Sequence, residues 1–178
     1  TPGSAESPAS WCPGAGRARR WAGALDAREG DGRPVVGAGV GSTAACLAEI
    51  GGGGHVPAVD IDRQRVHLAR DNRAAAGYDA VLVDCHDGAR GFPEYAPFDR
   101  VLIESAVVDP PRAIGEQLGA AGRIVFPRGT TEQTLVAVEA DTDADADAAA
   151  ETDTHGAFVP GGKLGPGQVP TPVVPREQ

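Results

Sequence analysis

The sequence predicts an α/β fold, a doubly wound, mostly parallel sheet with helices on both faces. Two observations lead to this prediction. Short apolar runs recur between Val35 and Val138, and helical segments separate them. The runs do not alternate polar with apolar residues, as expected of strands that are buried on both faces. Alternation of strand and helix produces a parallel sheet with right-handed crossovers.

Six apolar runs are predicted strands, over residues 35–36, 56–59, 80–83, 101–103, 124–126 and 134–138. Four segments are predicted helices, over residues 17–28, 42–50, 63–76 and 110–118. The third helix has the clearest limits, because Asp62 is a good N-cap and Gly77 a good terminator. The fourth begins with prolines in its first turn and ends before Gly119.

Composition and charge restrict the class of protein. The 178 residues carry a net charge of −9, are 41% hydrophobic and only 4% aromatic, and include a single lysine, Lys163. The core must therefore consist mainly of Val, Leu, Ile and Ala. An acidic surface disfavours nucleic acid and anionic membranes as partners, because both require positive charge. It fits a halophilic protein, although a GC-rich genome alone favours the same residues.

The three cysteines, Cys12, Cys46 and Cys85, show no CxxC spacing. This pattern indicates neither a zinc site nor a disulfide framework, so no metal is expected. No apolar run approaches the roughly 20 residues that a membrane span needs. We therefore expect a cytoplasmic protein.

The chain divides into three parts. Residues 1–23 are expected to be poorly ordered, residues 24–138 to form a ligand-binding core, and residues 139–178 to be an acidic and then Pro/Gly-rich tail. Residues 139–153 contain seven acids and no base, which is typical of a solvated segment. Calcium binding is the alternative, but the run lacks the Gly and terminal Glu of an EF-hand loop.

The first candidate site is the glycine-rich run Gly37, Gly39 and Gly41, between the first strand and the first core helix. A turn at this place leaves backbone N–H groups pointing outward, and glycines allow a ligand to approach closely. The second candidate is Asp60, which ends the next strand. In Rossmann-like folds an acid there accepts hydrogen bonds from an adenosine ribose. The alternative is that Asp60 only caps a helix, for which Asp62 is better placed.

These features suit NAD as well as S-adenosylmethionine. The dinucleotide fingerprint requires Gly where this chain has Ser42, so its spacing is not matched. The third candidate, residues 84–88, follows the third strand. Its acids and backbone could contact an adenine ring, which favours S-adenosylmethionine.

The segment from Asp87 to Arg100 contains Asp87-Gly88, Gly91, Pro93 and Ala96-Pro97-Phe98-Asp99 in that order. This order closely resembles the signature of the protein-L-isoaspartate O-methyltransferase family. The glycine run and Val59-Asp60 resemble its first two motifs, and the likeness covers roughly residues 24–138.

The resemblance implies a cofactor, S-adenosyl-L-methionine, and a role for each candidate residue. Gly37, Gly39 and Gly41 would hold the methionine end of the cofactor, Asp60 the ribose, and Asp87 with Gly88 the adenine. The implied reaction is methyl transfer to the free carboxylate of isoaspartyl residues in damaged proteins, which would be the partners. No catalytic residue is assigned.

Three departures leave alternatives open. Val35 stands where the family has an acid, and His86 replaces a glycine. Residues 1–23 do not resemble the family's helical substrate domain, and Ser10 is the nearest candidate for its substrate-motif serine. The alternatives are a catalytically inactive remnant of the family and an NAD-binding oxidoreductase.

Overall fold

Seven strands form one sheet in the order β3-β2-β1-β4-β5-β6-β7. The computed structural model describes residues 15–52, 54–129, 133–140 and 150–158. The strands are β1 (Val35–Val36), β2 (Val56–Asp60), β3 (Val81–Cys85), β4 (Phe98–Ile103), β5 (Leu118–Arg128), β6 (Gln133–Glu139) and β7 (Ala150–Phe158). The pairs among β1 to β5 are parallel, and β6 and β7 are added antiparallel. The predicted mostly parallel α/β sheet is confirmed.

The helices are α1 (Ala15–Leu25), α2 (Ser42–Ile50), α3 (Arg63–Ala76) and the short α4 (Arg112–Gly115), and two 3-10 turns cover Gly88–Arg90 and Pro93–Tyr95. The limits of α2 and α3 agree with the prediction. The Asp62 side chain accepts a hydrogen bond from the Gln64 N–H, and Gly77 ends α3 in the left-handed region at φ 76°.

The order of the strands creates a topological switch point between β1 and β4. The chain first builds outward from β1 through β2 to β3, and then returns to add β4 on the other side of β1. The connections that follow β1 and β4 therefore run in opposite directions, and they leave a crevice above the carboxyl ends of these two strands. Open α/β sheets bind ligands in such a crevice.

Two apolar clusters cover the faces of the sheet, as helices on both faces require. The first packs α1, α2 and α3 against one face, with Trp21, Leu25 and Leu47 among its buried residues. The second lies on the other face and includes Phe92, Phe126 and Ile114 of α4. Successive strand residues such as Val35 and Val36 belong to opposite clusters, which explains why the strand runs are uniformly apolar.

Two helices differ from the prediction. Helix α4 covers only residues 112–115 of the predicted 110–118, because Leu118 already pairs with Phe98 at the start of β5. Helix α1 begins at Ala15, inside the segment expected to be poorly ordered, and ends before Asp26. Asp26 has a φ of 49°, a left-handed conformation that cannot continue a right-handed helix.

The tail prediction was wrong for residues 150–158. These residues form β7, which pairs antiparallel with β6. Hydrogen bonding to the open edge of β6 outweighs a composition that is poor in strand formers. Residues 1–14, 141–149 and 159–178, including Ser10 and most of the acidic run, lie outside the described residues. No helix among the described residues is both long enough and apolar enough to span a membrane.

Candidate functional site

The glycine-rich loop connects β1 to α2 at the carboxyl edge of the sheet. Its three predicted site residues, Gly37, Gly39 and Gly41, have φ angles of 89°, 55° and 89°. Residues that have a side chain rarely adopt positive φ angles, so the loop requires glycine at these positions. The N–H groups of Gly37 and Ala38 both donate to the carbonyl oxygen of Val59 at 2.8 Å, which fixes the loop to β2.

The three glycines differ in what surrounds them. A Cβ on Gly37 would lie 2.8 Å from the hydroxyl oxygen of Ser105, and one on Gly41 would lie 3.3 Å from the Cβ of Ala69. A Cβ on Gly39 would meet no atom within 4 Å. Gly37 thus permits close packing against the residues that follow β4, and Gly41 against α3, while Gly39 is open to an approaching ligand.

Asp60 joins the end of β2 to this loop. One carboxylate oxygen accepts a hydrogen bond from the Gly39 N–H at 2.9 Å, and the other accepts from the Asp62 N–H at 2.9 Å. The residue is 3% exposed. Asp62, and not Asp60, therefore caps α3, as the sequence predicted. The ribose-binding role of Asp60 stays a prediction. Each carboxylate oxygen has two acceptor positions, so Asp60 retains capacity for further donors.

Asp87 and Gly88 follow β3 in a 3-10 turn that packs onto the same strand ends. The Asp87 carboxylate accepts from the Ala89 N–H at 2.9 Å and so caps the turn. A Cβ on Gly88 would collide with Val36 and would lie 3.3 Å from a methyl group of Val59. Because Val36 and Val59 lead directly into Gly37 and Asp60, all six predicted site residues converge at the carboxyl ends of β1, β2 and β3.

Sequence reasoning missed the side chain that supports this turn. The side-chain oxygen of Gln117 accepts from the Phe92 N–H at 2.7 Å, and its nitrogen donates to the carbonyl oxygen of Arg90 at 3.0 Å. Gln117 is 25 residues from Phe92 in sequence, and no local pattern indicates such a contact. His86 lies beside the turn with its ring 5.9 Å from that of Phe92.

Glu104 was also missed, although a signal for it was present. It directly follows β4, as Asp60 ends β2, and its N–H donates to the carbonyl oxygen of Val36 at 2.8 Å. Asp60 was selected because it is an acid at the end of an apolar run, and the same reasoning applied to the fourth apolar run would have identified Glu104. Asp84 was part of the third candidate segment, and its exposed carboxylate pairs with Arg70 at 3.1 Å. Within the described residues, no three His, Cys, Asp or Glu side chains are arranged to hold a metal.

Comparisons with known proteins point to one family. The family model for protein-L-isoaspartate(D-aspartate) O-methyltransferase matches residues 25–164. A protein-L-isoaspartate O-methyltransferase of Methanococcoides burtonii is 43% identical over 108 residues, which cover 60% of this chain and 53% of that protein. Protein-L-isoaspartate O-methyltransferase 2 of Archaeoglobus fulgidus is 41% identical over 118 residues, which cover 66% of this chain and 54% of that protein.

Solved structures show the same fold. A protein-L-isoaspartate O-methyltransferase structure superposes with a TM-score of 0.69 at 23% identity and covers 83% of this chain and 47% of its own. A Plasmodium falciparum beta-aspartate methyltransferase, solved in complex with S-adenosyl-L-homocysteine, gives a TM-score of 0.63 at 15% identity, covering 80% and 68%. These values establish a Rossmann-like methyltransferase fold.

The chain spans about half the length of the curated relatives that it matches, which are 53% and 54% covered. The family match nevertheless extends over most of this chain, from the end of α1 through β7. On this evidence the chain belongs to the protein-L-isoaspartate(D-aspartate) O-methyltransferase family.

Proposed function

We propose that this protein binds S-adenosyl-L-methionine across the carboxyl ends of β1, β2 and β3, and that it methylates isoaspartyl carboxylates. The observation that carries the proposal is the hydrogen bond from the Gly39 N–H to Asp60, which joins the open glycine loop to an acid at the end of the adjacent strand. A nucleoside ligand needs this combination, a backbone that allows close approach beside a carboxylate that accepts from hydroxyls.

The residues present fit the cofactor. Gly37, Gly39 and Gly41 shape the loop that would hold its methionine end, and the open side of Gly39 leaves room for it. Asp60 would accept from the ribose hydroxyls with its remaining acceptor positions. Asp87 and Gly88 would flank the adenine, since Gly88 packs directly on the ends of β1 and β2. Ser42, where the dinucleotide fingerprint has glycine, argues against NAD.

The chemistry requires positioning more than proton transfer. The bound cofactor supplies an electrophilic methyl group on a sulfonium. A carboxylate acceptor is already ionised at neutral pH, so no residue of this chain has to remove a proton from it. The task of the protein is to align the acceptor oxygen with the methyl group and to exclude water, and a misplacement of about 1 Å can cost roughly 100-fold in rate.

The proposal also covers the partners, the domain organisation and the location of the protein. Proteins and peptides that contain isoaspartyl residues would be its partners, and residues 24–138 would form its cofactor-binding core. The spacing of the three cysteines does not indicate a disulfide framework, which supports a cytoplasmic location. The net charge of −9 supports adaptation to high salt.

The test is transfer of labelled methyl from S-adenosylmethionine to an isoaspartyl peptide, at low and at multimolar salt. The matched control is the peptide of the same sequence with an ordinary aspartyl residue. We expect base-labile label on the isoaspartyl peptide alone. Binding of S-adenosylhomocysteine without label on either peptide would contradict the catalytic proposal and would favour the inactive alternative.

A further inference from the structure

Arg33 lies just before the amino end of β1, the end opposite the candidate functional site, and the function proposed above gives it no role. Its side chain has no exposed surface, so the protein encloses a permanent positive charge. We propose that Arg33 and the glycines that cover it bind one small monovalent anion, of the size of chloride or formate. This inference does not depend on the proposed function.

The guanidinium of Arg33 is only partly satisfied by the residues that the structure describes. Its Nη1 donates to the carbonyl oxygen of Arg28 at 3.0 Å, whereas Nε and Nη2 are buried and have no hydrogen-bond partner among these residues. A buried N–H group without a partner costs free energy, and the cost is larger for a charged group. Two such atoms on one side chain therefore indicate a bound partner.

The two unpartnered nitrogens have the arrangement with which arginine binds anions. In a guanidinium group, the N–H of Nε and one N–H of Nη2 are parallel and point to the same side. Arginine uses two parallel N–H groups of this kind to bind carboxylates and phosphates in a bidentate manner. One anion could therefore accept from both atoms at once, and its charge would offset that of the guanidinium.

The surroundings of Arg33 restrict the anion to a small one. A Cβ on Gly51 would collide with the guanidinium, and a Cβ on Gly54 would lie 3.5 Å from Nη2. Backbone without side chains therefore packs against the charged group on this side. Because the guanidinium has no exposed surface, an anion enclosed beside it must lack a large substituent.

The protein compensates the charge of Arg33 incompletely. Burial lowers the pKa of Arg33, and the negative charge of Asp31 opposes this shift without cancelling it. The Asp31 carboxylate is itself engaged by the Arg28 N–H at 2.8 Å and by Arg100 at 3.7 Å. The net charge of −9 repels anions from the protein as a whole. Stabilisation by one particular anion therefore requires a local cation such as Arg33.

Anion replacement at constant total salt tests the site on the full chain. When sodium chloride replaces sodium gluconate, whose anion is too large for the site, we expect the wild-type melting temperature to rise by about 3 °C or more. Arg33→Met removes the charge with little change in volume and should abolish this rise. Arg63→Met, the same change at an exposed arginine of α3, is the matched control and should retain it. If Arg33→Met does not fold, Arg33→Lys keeps the charge without the paired N–H groups and should also lose the rise.

Diffraction from wild-type crystals soaked in sodium bromide locates the ion without a variant, and we expect an anomalous peak beside Nε and Nη2 of Arg33. Absence of this peak would overturn the inference, as would an equal chloride response in the wild type and the Arg33 variant. A variant that is destabilised equally in both salts, with no chloride response of the wild type, would show that Arg33 only supports the end of α2. A bromide peak without any chloride response would show an adventitious ion only.

Discussion

Asp60 has two tasks at one position. Its carboxylate holds the glycine loop and the start of the α3 connection through the N–H groups of Gly39 and Asp62, both at 2.9 Å. It is also the acid proposed to bind the ribose. Loop geometry and ligand affinity should therefore respond together when this side chain is changed.

We expect Asp60→Asn to lower the free energy of unfolding by about 1–3 kcal/mol and to weaken S-adenosylhomocysteine binding. Asparagine has one oxygen, so its NH₂ group would face one of the two N–H donors. Urea unfolding and calorimetry measure the two effects. Asp84→Asn removes an exposed ion pair and should change stability by no more than about 1 kcal/mol. A D60N protein as stable as wild type would show that these hydrogen bonds contribute nothing.

Tyr78 allows a test at a residue outside the site. Burial, together with the hydrogen bond that its hydroxyl donates to Glu49 at 2.8 Å, raises the pKa of Tyr78 to about 12. The protein has two tyrosines, so Tyr95→Phe leaves Tyr78 as the only one. At pH 11 we expect about one tenth of it to be ionised by ultraviolet absorbance, against about nine tenths for a tyrosine of ordinary pKa.

The sign of the linked stability effect follows from the same pKa. The unfolded chain releases the Tyr78 proton near pH 10, before the native protein does. This contribution to stability is present below pH 10 and is lost as the pH rises toward 12. Tyr78→Phe should abolish that part of the alkaline decline, and an unchanged decline would contradict the assignment.

At the scale of elements, local chemistry made some predictions reliable. Helix α3 has the predicted limits because Asp62 and Gly77 determine both ends within a few residues. Helix α4 and strand β7 could not be predicted in this way. Leu118 leaves the helical pattern to pair with Phe98, and β7 forms because β6 offers an open edge. Both outcomes depend on partners that are distant in sequence.

Gly88→Ala tests whether the turn after β3 packs directly against Val36 of β1. The added methyl group would collide with Val36, and we expect a loss of about 1–3 kcal/mol in the free energy of unfolding. Val36→Ala should relieve part of this loss, giving a coupling of about 0.5–3 kcal/mol in a double-mutant cycle. Gly115→Ala, which meets no atom within 4 Å, is the control. Additive effects at positions 36 and 88 would contradict the contact.

At the scale of the molecule, β7 protects the edge of a sheet. Strand β6 buries Leu135, Val136, Ala137 and Val138, and without β7 its backbone would be an unpaired edge. We expect a chain that ends at Ala140 to exchange its β6 amide hydrogens faster and to self-associate. A chain ending at Phe158 is the control, and it should behave like the full chain. Equal rates of β6 amide hydrogen exchange in the two shortened chains and the full chain would mean that β7 does not protect β6.

The positions of the candidate site residues in the fold were predictable where these residues directly follow an apolar strand. The positions after the first three strands, namely the glycine loop, Asp60 and Asp87-Gly88, could be identified because each follows an apolar run. The support from Gln117 could not, since it joins residues 25 and 27 positions apart. The placement of Glu104 beside Gly37 depends on the crossover that puts β4 next to β1, which only the tertiary structure shows.

Calorimetric titration with S-adenosylhomocysteine and with NADH, under the same conditions, tests most directly whether the candidate site at the carboxyl ends of β1, β2 and β3 binds a methyl donor. We expect S-adenosylhomocysteine to bind at one site per chain and NADH to give no binding heat, because Ser42 breaks the dinucleotide spacing. Binding of NADH without binding of S-adenosylhomocysteine would contradict the proposed cofactor.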